Sequence, residues 1–316
     1  MLSRVAEALF WVGRYVERAE DTARLLDVHF HEGLENPDLD EREATTAVLQ
    51  VLGATHAEAS DIHAALDLLA YDASNPSSIV GSLMAAHRNA RGVREALSAE
   101  IWRSLNTTHN EIEDRVAAAR GFGPAPFFSY VRDRAATIAG FTEATMSRDL
   151  GYDFFVLGRS VERVDMTARL LLARLSVPST PDGWVATLNA CSAHEAYLRT
   201  YQRGVEPQLV LEFLLLDRLF PRSVFFALTT GEQALSRLDP HQGRGGLDDR
   251  LEHGARLAFG RARTDLEFLS VGALLHGLPD RLSTLQQAMS QVNNAVTHEF
   301  FSGTATVAWN LEESRR

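Results

Sequence analysis

The sequence predicts an all-α fold, a helical bundle built from two duplicated halves related by a pseudo-two-fold axis. Three observations carry this expectation. Apolar residues recur at spacings of three and four along nearly all of the 316 residues, alternating strand patterns are scarce, and a fifteen-residue segment near the start returns near the middle.

Taken in order, the helices are separated by breaker clusters at Glu35-Asn36-Pro37-Asp38, at Gly121-Phe122-Gly123-Pro124-Ala125-Pro126, at Pro178 to Gly183, and from Asp239-Pro240 to Gly245-Gly246. Ordinary helix lengths between these breaks give roughly ten helices. The last cluster is the most polar and is the expected mobile loop of the second half.

The returning segment runs from Val12 to Leu26 and again from Leu157 to Leu171, at a constant offset of 145, with ten of fifteen pairs identical. The same offset pairs Asp72, Pro76, Ser78, Ile79 and Leu83 with Asp217, Pro221, Ser223, Val224 and Leu228. Two copies of this length imply two related halves and not a solenoid of short repeats. The expected division is 1–135 and 136–316, packed as one compact unit, with the boundary between residues 125 and 150.

Within the first copy, Val12, Val16, Ala19, Ala23 and Leu26 form an apolar seam, repeated by Leu157, Val161, Val164, Ala168 and Leu171. Beside it runs a second stripe, Gly13, Glu17, Glu20 and Arg24, matched by Gly158, Glu162, Asp165 and Arg169. Exposed i,i+4 ion pairs contribute only about 0.3–0.5 kcal/mol each, too little to account for so strict a pattern. Glycine inside a helix costs about 1 kcal/mol relative to alanine, so Gly13 and Gly158 point to close approach of a backbone or a ligand.

Composition narrows the chemistry. All 31 basic residues are arginine, which removes Schiff-base, P-loop and kinase-type lysine mechanisms. A net charge of −11 argues against a nucleic-acid binder that relies on a wide basic surface. The single cysteine, Cys191, excludes an internal disulfide and a cysteine-rich zinc site, and reads as a small core residue of a cytoplasmic protein. Arg4, Glu7, Arg14, Glu17 and Arg18 interrupt any signal-peptide core, and the apolar run Leu209 to Leu216 is too short to span a bilayer. Neither secretion nor membrane insertion is expected.

Two constellations are candidates for function. In the first, Glu17, Arg18, Glu20 and Arg24 are expected to face Glu162, Arg163, Asp165 and Arg169 across the axis, and Arg14 and Arg159 of the same helices join them as candidate ligand- or partner-binding residues. Three readings remain open for it: a buried polar network that fixes the register of the halves, an amino-acid, peptide or partner site, and catalysis by Glu17 or Glu162. Four carboxylates at i,i+3 spacing can also hold magnesium or manganese, but Glu-x-x-His is missing and arginines lie a turn away, so neither a metal nor a cofactor is assigned. The second constellation belongs to the first half only. Between Ile79 and Asn106 one helical face is apolar, from Ile79 through Leu83, Ala86, Ala90, Val93 and Leu97 to Ile101. Another carries Arg88, Arg91, Glu95, Ser98, Trp102 and Asn106, with Arg88 and Arg91 placed to take an anion, to pair with Glu95, or to remain solvated. His29-x-His31 is expected to be exposed or to compensate the helix C-terminus, with its two side chains on different faces.

The opening Met1-Leu2-Ser3-Arg4-Val5-Ala6-Glu7, the run Trp11-Val12-Gly13-Arg14-Tyr15-Val16-Glu17-Arg18-Ala19-Glu20, and Asn75-Pro76-Ser77-Ser78-Ile79 together resemble the bacterial alpha-E domain family, across essentially the whole chain. Asn89-Ala90-Arg91 and Glu100-x-Trp102 are similar to that family's pattern as well. The resemblance implies association with a circularly permuted ATP-grasp amidoligase and a transglutaminase-like protein, in a peptide-forming or peptide-tagging pathway. On this basis the chain is expected to be an accessory or substrate-presenting subunit. The alternatives are an enzyme of the same pathway that binds its substrate at the paired Glu-Arg helices, and a structural module that forms a homo-oligomer.

Overall fold

The computed structural model describes residues 1–35, 41–54, 61–177, 179–238, 254–269 and 271–301. Among the described residues the chain is all-helical and contains no strand. The helices are α1 (Ser3–Glu35), α2 (Glu41–Val51), α3 (Ile62–Leu66), α4 (Ile79–Arg91), α5 (Ala99–Phe122), α6 (Ala125–Thr145), α7 (Leu150–Leu175), α8 (Pro181–Ala190), α9 (His194–Tyr201), α10 (Pro207–Leu216), α11 (Val224–Leu238), α12 (Ala255–Glu267), α13 (Val271–Leu275) and α14 (Leu278–Val296). Among the described residues these are fourteen, against the roughly ten expected. Short helices such as α3, α9 and α13 are below the length at which a three-four periodicity declares itself. Among the described residues no helix is long and apolar enough to cross a membrane.

The break at Gly121 to Pro126 falls between α5 and α6, where Gly123 adopts φ +102° and ends α5. Residues 36–38, Pro178 and the cluster at 239–246, including the expected mobile loop, lie outside the described residues. Residue 135 lies inside α6, and the connection from α6 to α7 is 146–149.

The centre of the molecule is the pair α1 and α7. Both apolar seams are buried over their full length, from Val12 to Leu26 and from Leu157 to Leu171. The helices run parallel, since Leu9 approaches Gly151, Gly13 approaches Phe155 and Arg159, and Arg18 bonds Glu162. Helices α4 and α6 cover α1, and α11 and α14 cover α7. Each of the covering helices α4 and α11 is started the same way. Ser78 Oγ donates to Asp72 O and accepts from Gly81 N, while Ser223 Oγ donates to Asp217 O and accepts from Phe226 N. A serine oxygen of this kind satisfies an amide left over in the first turn, worth about 1 kcal/mol per helix.

The apolar face read from Ile79 to Ile101 is buried as expected, but not on one helix. It divides at Gly92, passes through a 3₁₀ turn at Arg94–Ala96, and restarts at α5 with Ser98 as its N-cap. The ring of His87 on α4 therefore meets Trp102 and His109 of α5 in a folded-back hairpin.

Candidate functional site

At the crossing of α1 and α7 the two stripe glycines let the backbones touch. A Cβ on Gly13 would overlap the carbonyl oxygen of Phe155 and lie 3.2 Å from Arg159 N. One on Gly158 would overlap the carbonyl oxygen of Phe10 and lie 3.2 Å from Arg14 N. Phe10 and Phe155, and Arg14 and Arg159, are themselves partners at the repeat offset, so the approach is reciprocal. The ligand alternative for these glycines falls away, because a neighbouring backbone fills the space.

One turn further along, each helix inserts a glutamate between arginines of the other. Arg18 Nε donates to Glu162 Oε1 at 2.5 Å and Arg14 Nε to Glu162 Oε2 at 2.7 Å. In return Arg163 Nε donates to Glu17 Oε1 at 2.6 Å, and Arg159 Nε reaches Glu17 Oε2 at 3.4 Å. Both carboxylates are 1% exposed. Burial alone would push their pKa values up, but the guanidiniums outweigh it. Arg18 and Arg14 hold Glu162 down at about 2, and Arg163, Arg222 and Arg159 hold Glu17 well below the usual carboxylate range. Neither group can deliver or take a proton near neutral pH.

The outer stripe residues behave differently from the expected cross-axis contact. Glu20 pairs with Arg24 at 2.6 Å and Asp165 with Arg169 at 2.8 Å, each along its own helix in the acid-first i,i+4 order. Neither outer acid takes an ion pair from the facing helix, although Glu20 also lies 2.5 Å from Arg222.

Arg222 was not legible as a site residue, because it sits in the loop before α11, where no periodicity marks it. Its guanidinium lies 2.5 Å from Glu20, 2.7 Å from Asp21 and 3.5 Å from Glu17. At the repeat offset its counterpart is Ser77, and that of Asp21 is Met166. The two sides of the clamp are therefore unequal, with a third arginine and a third acid on one side only. Asn293 of α14 was also missed; it accepts from Arg14 Nη1 at 2.7 Å.

On the unequal side a narrow cleft of about 20 Å³, room for about one water molecule, is lined by Asp21, Leu25, Val51, Met166, Thr167, Leu170, Ala190, Cys191 and Arg222. Burial and the neighbouring Glu17 and Glu20 raise the Asp21 carboxyl to about 7, against the pull of Arg222. Burial pushes the Cys191 thiol up to about 12, leaving it inert as a nucleophile. Because folded Asp21 keeps its proton to a higher pH than an unfolded aspartate, whose pKa is about 3.9, its contribution to stability is full below about pH 4. That contribution is lost as pH rises through 7. Asp21→Asn should match the wild type near pH 4 and exceed it by roughly 1–3 kcal/mol at pH 8, checked by urea midpoints across that range.

The remaining candidates separate from this site. Arg88 and Arg91 are exposed and make no ion pair with Glu95 or any other described residue. Trp102, from the same face of the sequence, stacks on the His87 ring, with centroids 5.3 Å apart. The acidic i,i+3 pairs do not converge as an oxygen cage, since arginines occupy the space between them. Among the described residues no group of three or more His, Cys, Asp or Glu side chains is placed to hold a metal ion. His29 is buried beside Thr45, contrary to the expected exposure, and His31 is exposed on another face.

Residues 1–301 match the Alpha-E family, described as a predicted alpha-helical domain with a conserved ER motif. Uncharacterised proteins from Mycobacterium bovis and from strains of Mycobacterium tuberculosis are 27% identical over 322 residues, covering 93% of this chain and 36% of theirs. The chain thus spans about a third of the length of these relatives. No solved structure matches it. With both Glu-Arg motifs of the sequence now placed at the crossing of α1 and α7, and the family match running over nearly all of the chain, the chain belongs to the Alpha-E family.

Proposed function

We propose that the chain is an organising subunit, accessory or substrate-presenting, that works with an ATP-grasp amidoligase and a transglutaminase-like protein in a cytoplasmic peptide-forming or peptide-tagging pathway. In this reading the chain consists of two duplicated halves about a pseudo-two-fold axis, divided at 146–149 where one helix ends and the next begins. The Glu-Arg motifs are the lock between the halves. One observation carries the organising role: Glu17 and Glu162 are enclosed by arginines of the opposite helix, and the cleft nearest to them is not lined by either. Support for a companion comes from the relatives, in which the matching region is about a third of a longer chain.

The enzymatic alternative rests on a different group. Asp21 is a carboxyl poised near neutrality beside a cleft, which is what a proton-transfer or amine-binding step requires. A homo-oligomer built through the Glu-Arg motifs has less support, since their partners lie within the same chain.

Crosslinked co-purification tests the leading reading. Recovery of the amidoligase with the full chain is the expected result, and its absence under crosslinking overturns the reading. Product formation separates the alternatives: Asp21→Asn should leave pathway product unchanged if the chain only organises, whereas its loss in a folded variant that still binds the amidoligase favours the enzyme.

A further inference from the structure

We infer that the turn end of the α4–α5 hairpin is a docking surface for an acidic polypeptide segment. Arg88 and Arg91 lie in the last turn of α4, Arg94 in the 3₁₀ turn that follows, and Arg103 one turn into α5. All four are exposed, and none makes a hydrogen bond or ion pair with a described residue. Exposed, unpaired arginines occur singly elsewhere, as at Arg4, Arg199 and Arg261, and others such as Arg115, Arg120, Arg132 and Arg148 hold carboxylates; what sets this turn apart in a chain of net charge −11 is that four fall between residues 88 and 103. Glu95 and Glu100 stand in the same stretch without capturing any of the four.

The helix dipole explains part of the pattern only. A cation in the last turn of α4 is favoured, which suits Arg88 and Arg91. Arg103 sits near the N-terminal end of α5, where the dipole gives a cation nothing. On the same hairpin Trp102 is half-buried and held by its stack on His87, a fixed aromatic ring next in sequence to Arg103. Arginine and tryptophan are the side chains that most often anchor protein interfaces, because a forked donor pairs with carboxylates and a fixed ring loses little entropy on contact.

Charge complementarity selects the occupant. A nucleic acid carries a phosphate at every nucleotide and is repelled by the rest of so acidic a chain, whereas a polypeptide can present a few carboxylates opposite the arginines alone. This surface rests on the reading of the chain as a module working against a companion polypeptide, and it names the face that meets it.

The test uses the full-length chain and a fluorescein-labelled peptide of alternating glutamate and glycine, followed by anisotropy at low salt. Arg88→Glu with Arg91→Glu is compared with Arg199→Glu with Arg261→Glu, an equal charge change at two other exposed, unpaired arginines. Expected are binding by the wild type, a loss of at least about tenfold in the first pair, and a change within about twofold in the second. No binding, equal loss in both variants, or displacement of the peptide by a single-stranded oligonucleotide at matched charge overturns the inference. The same variants in the co-purification keep the two ideas apart. Amidoligase recovered equally by wild type and by Arg88→Glu with Arg91→Glu overturns this surface and spares the functional reading. Amidoligase recovered by neither, with the peptide bound as expected, overturns the functional reading alone.

Discussion

Replacing Glu162 with glutamine is expected to lower the stability of the chain by about 3–5 kcal/mol, read as a shift in the urea midpoint with an unchanged slope. The carboxylate is the shared partner of Arg14 and Arg18, whose side chains are 11% and 19% exposed. Glutamine keeps the shape and can still accept a hydrogen bond, but it leaves two guanidiniums facing each other without a counter-charge. The cost is that of uncompensated buried charge and exceeds what the intact pair contributes relative to an apolar replacement. Glu17→Gln should be similar, since Arg163, Arg159 and Arg222 then lose their common anion. A change below about 1 kcal/mol in either variant would mean that the clamp is solvated and its arginines are free to turn outward.

The second large effect is expected at the glycines. Gly13→Ala and Gly158→Ala each gain about 1 kcal/mol of helix propensity, yet each should destabilise the protein by about 2–4 kcal/mol net. The added methyl has nowhere to go, because the atom it meets is a backbone carbonyl of the facing helix and not the end of a flexible side chain. Helices α1 and α7 must separate, which also lengthens the bonds to Glu17 and Glu162. The double variant should cost less than the sum of the singles, as helices already parted for one methyl accommodate the second more cheaply. Thermal unfolding of the three variants checks both the sign and the failure of additivity; a stabilised Gly13→Ala would contradict the close approach.

How much of this was legible in the sequence follows from which forces leave a periodic trace. The seams read correctly because burial selects apolar side chains at three-four spacing, and every seam residue is buried. The close approach read correctly from Gly13 and Gly158, since glycine in mid-helix demands a reason. The charged stripes were visible as a pattern, but not their pairing. Spacing could identify Glu20 with Arg24 and Asp165 with Arg169, which lie on one helix, but it does not reveal that Glu162 belongs to Arg14 and Arg18. Arg222, Asp21 and Asn293 were not recognised, because one sits in a loop and the others are lone polar residues whose partners are set by packing alone. The hairpin at Gly92 was hidden for a related reason: the apolar face continues through the turn, so periodicity alone reads it as one helix.

The same distinction bears on function. A helix that repeats Gly-Arg-x-x-Glu-Arg advertises a charged constellation, and charged constellations in a sequence invite a catalytic reading. Here Glu17 and Glu162 are matched to arginines that keep them ionised, burial raises Asp165 against the pull of Arg169, and the carboxyl raised to about 7 is Asp21, which the repeat does not share. The clamp and the cleft therefore adjoin on the same pair of helices and share Arg222 and Asp21, while Glu17 and Glu162 stay outside the cleft lining.

The central claim is that Glu162 is a permanently ionised part of a lock between α1 and α7. Carboxyl ¹³C NMR of the glutamate side chains, with Glu162→Gln assigning the resonance, tests it most directly. A Glu162 signal that stays at its ionised position from pH 4 to pH 9 and begins to move only as the pH falls toward about 2 is the predicted result. A signal that titrates between pH 5 and pH 8 would contradict it, and would make Glu162 an acid-base group.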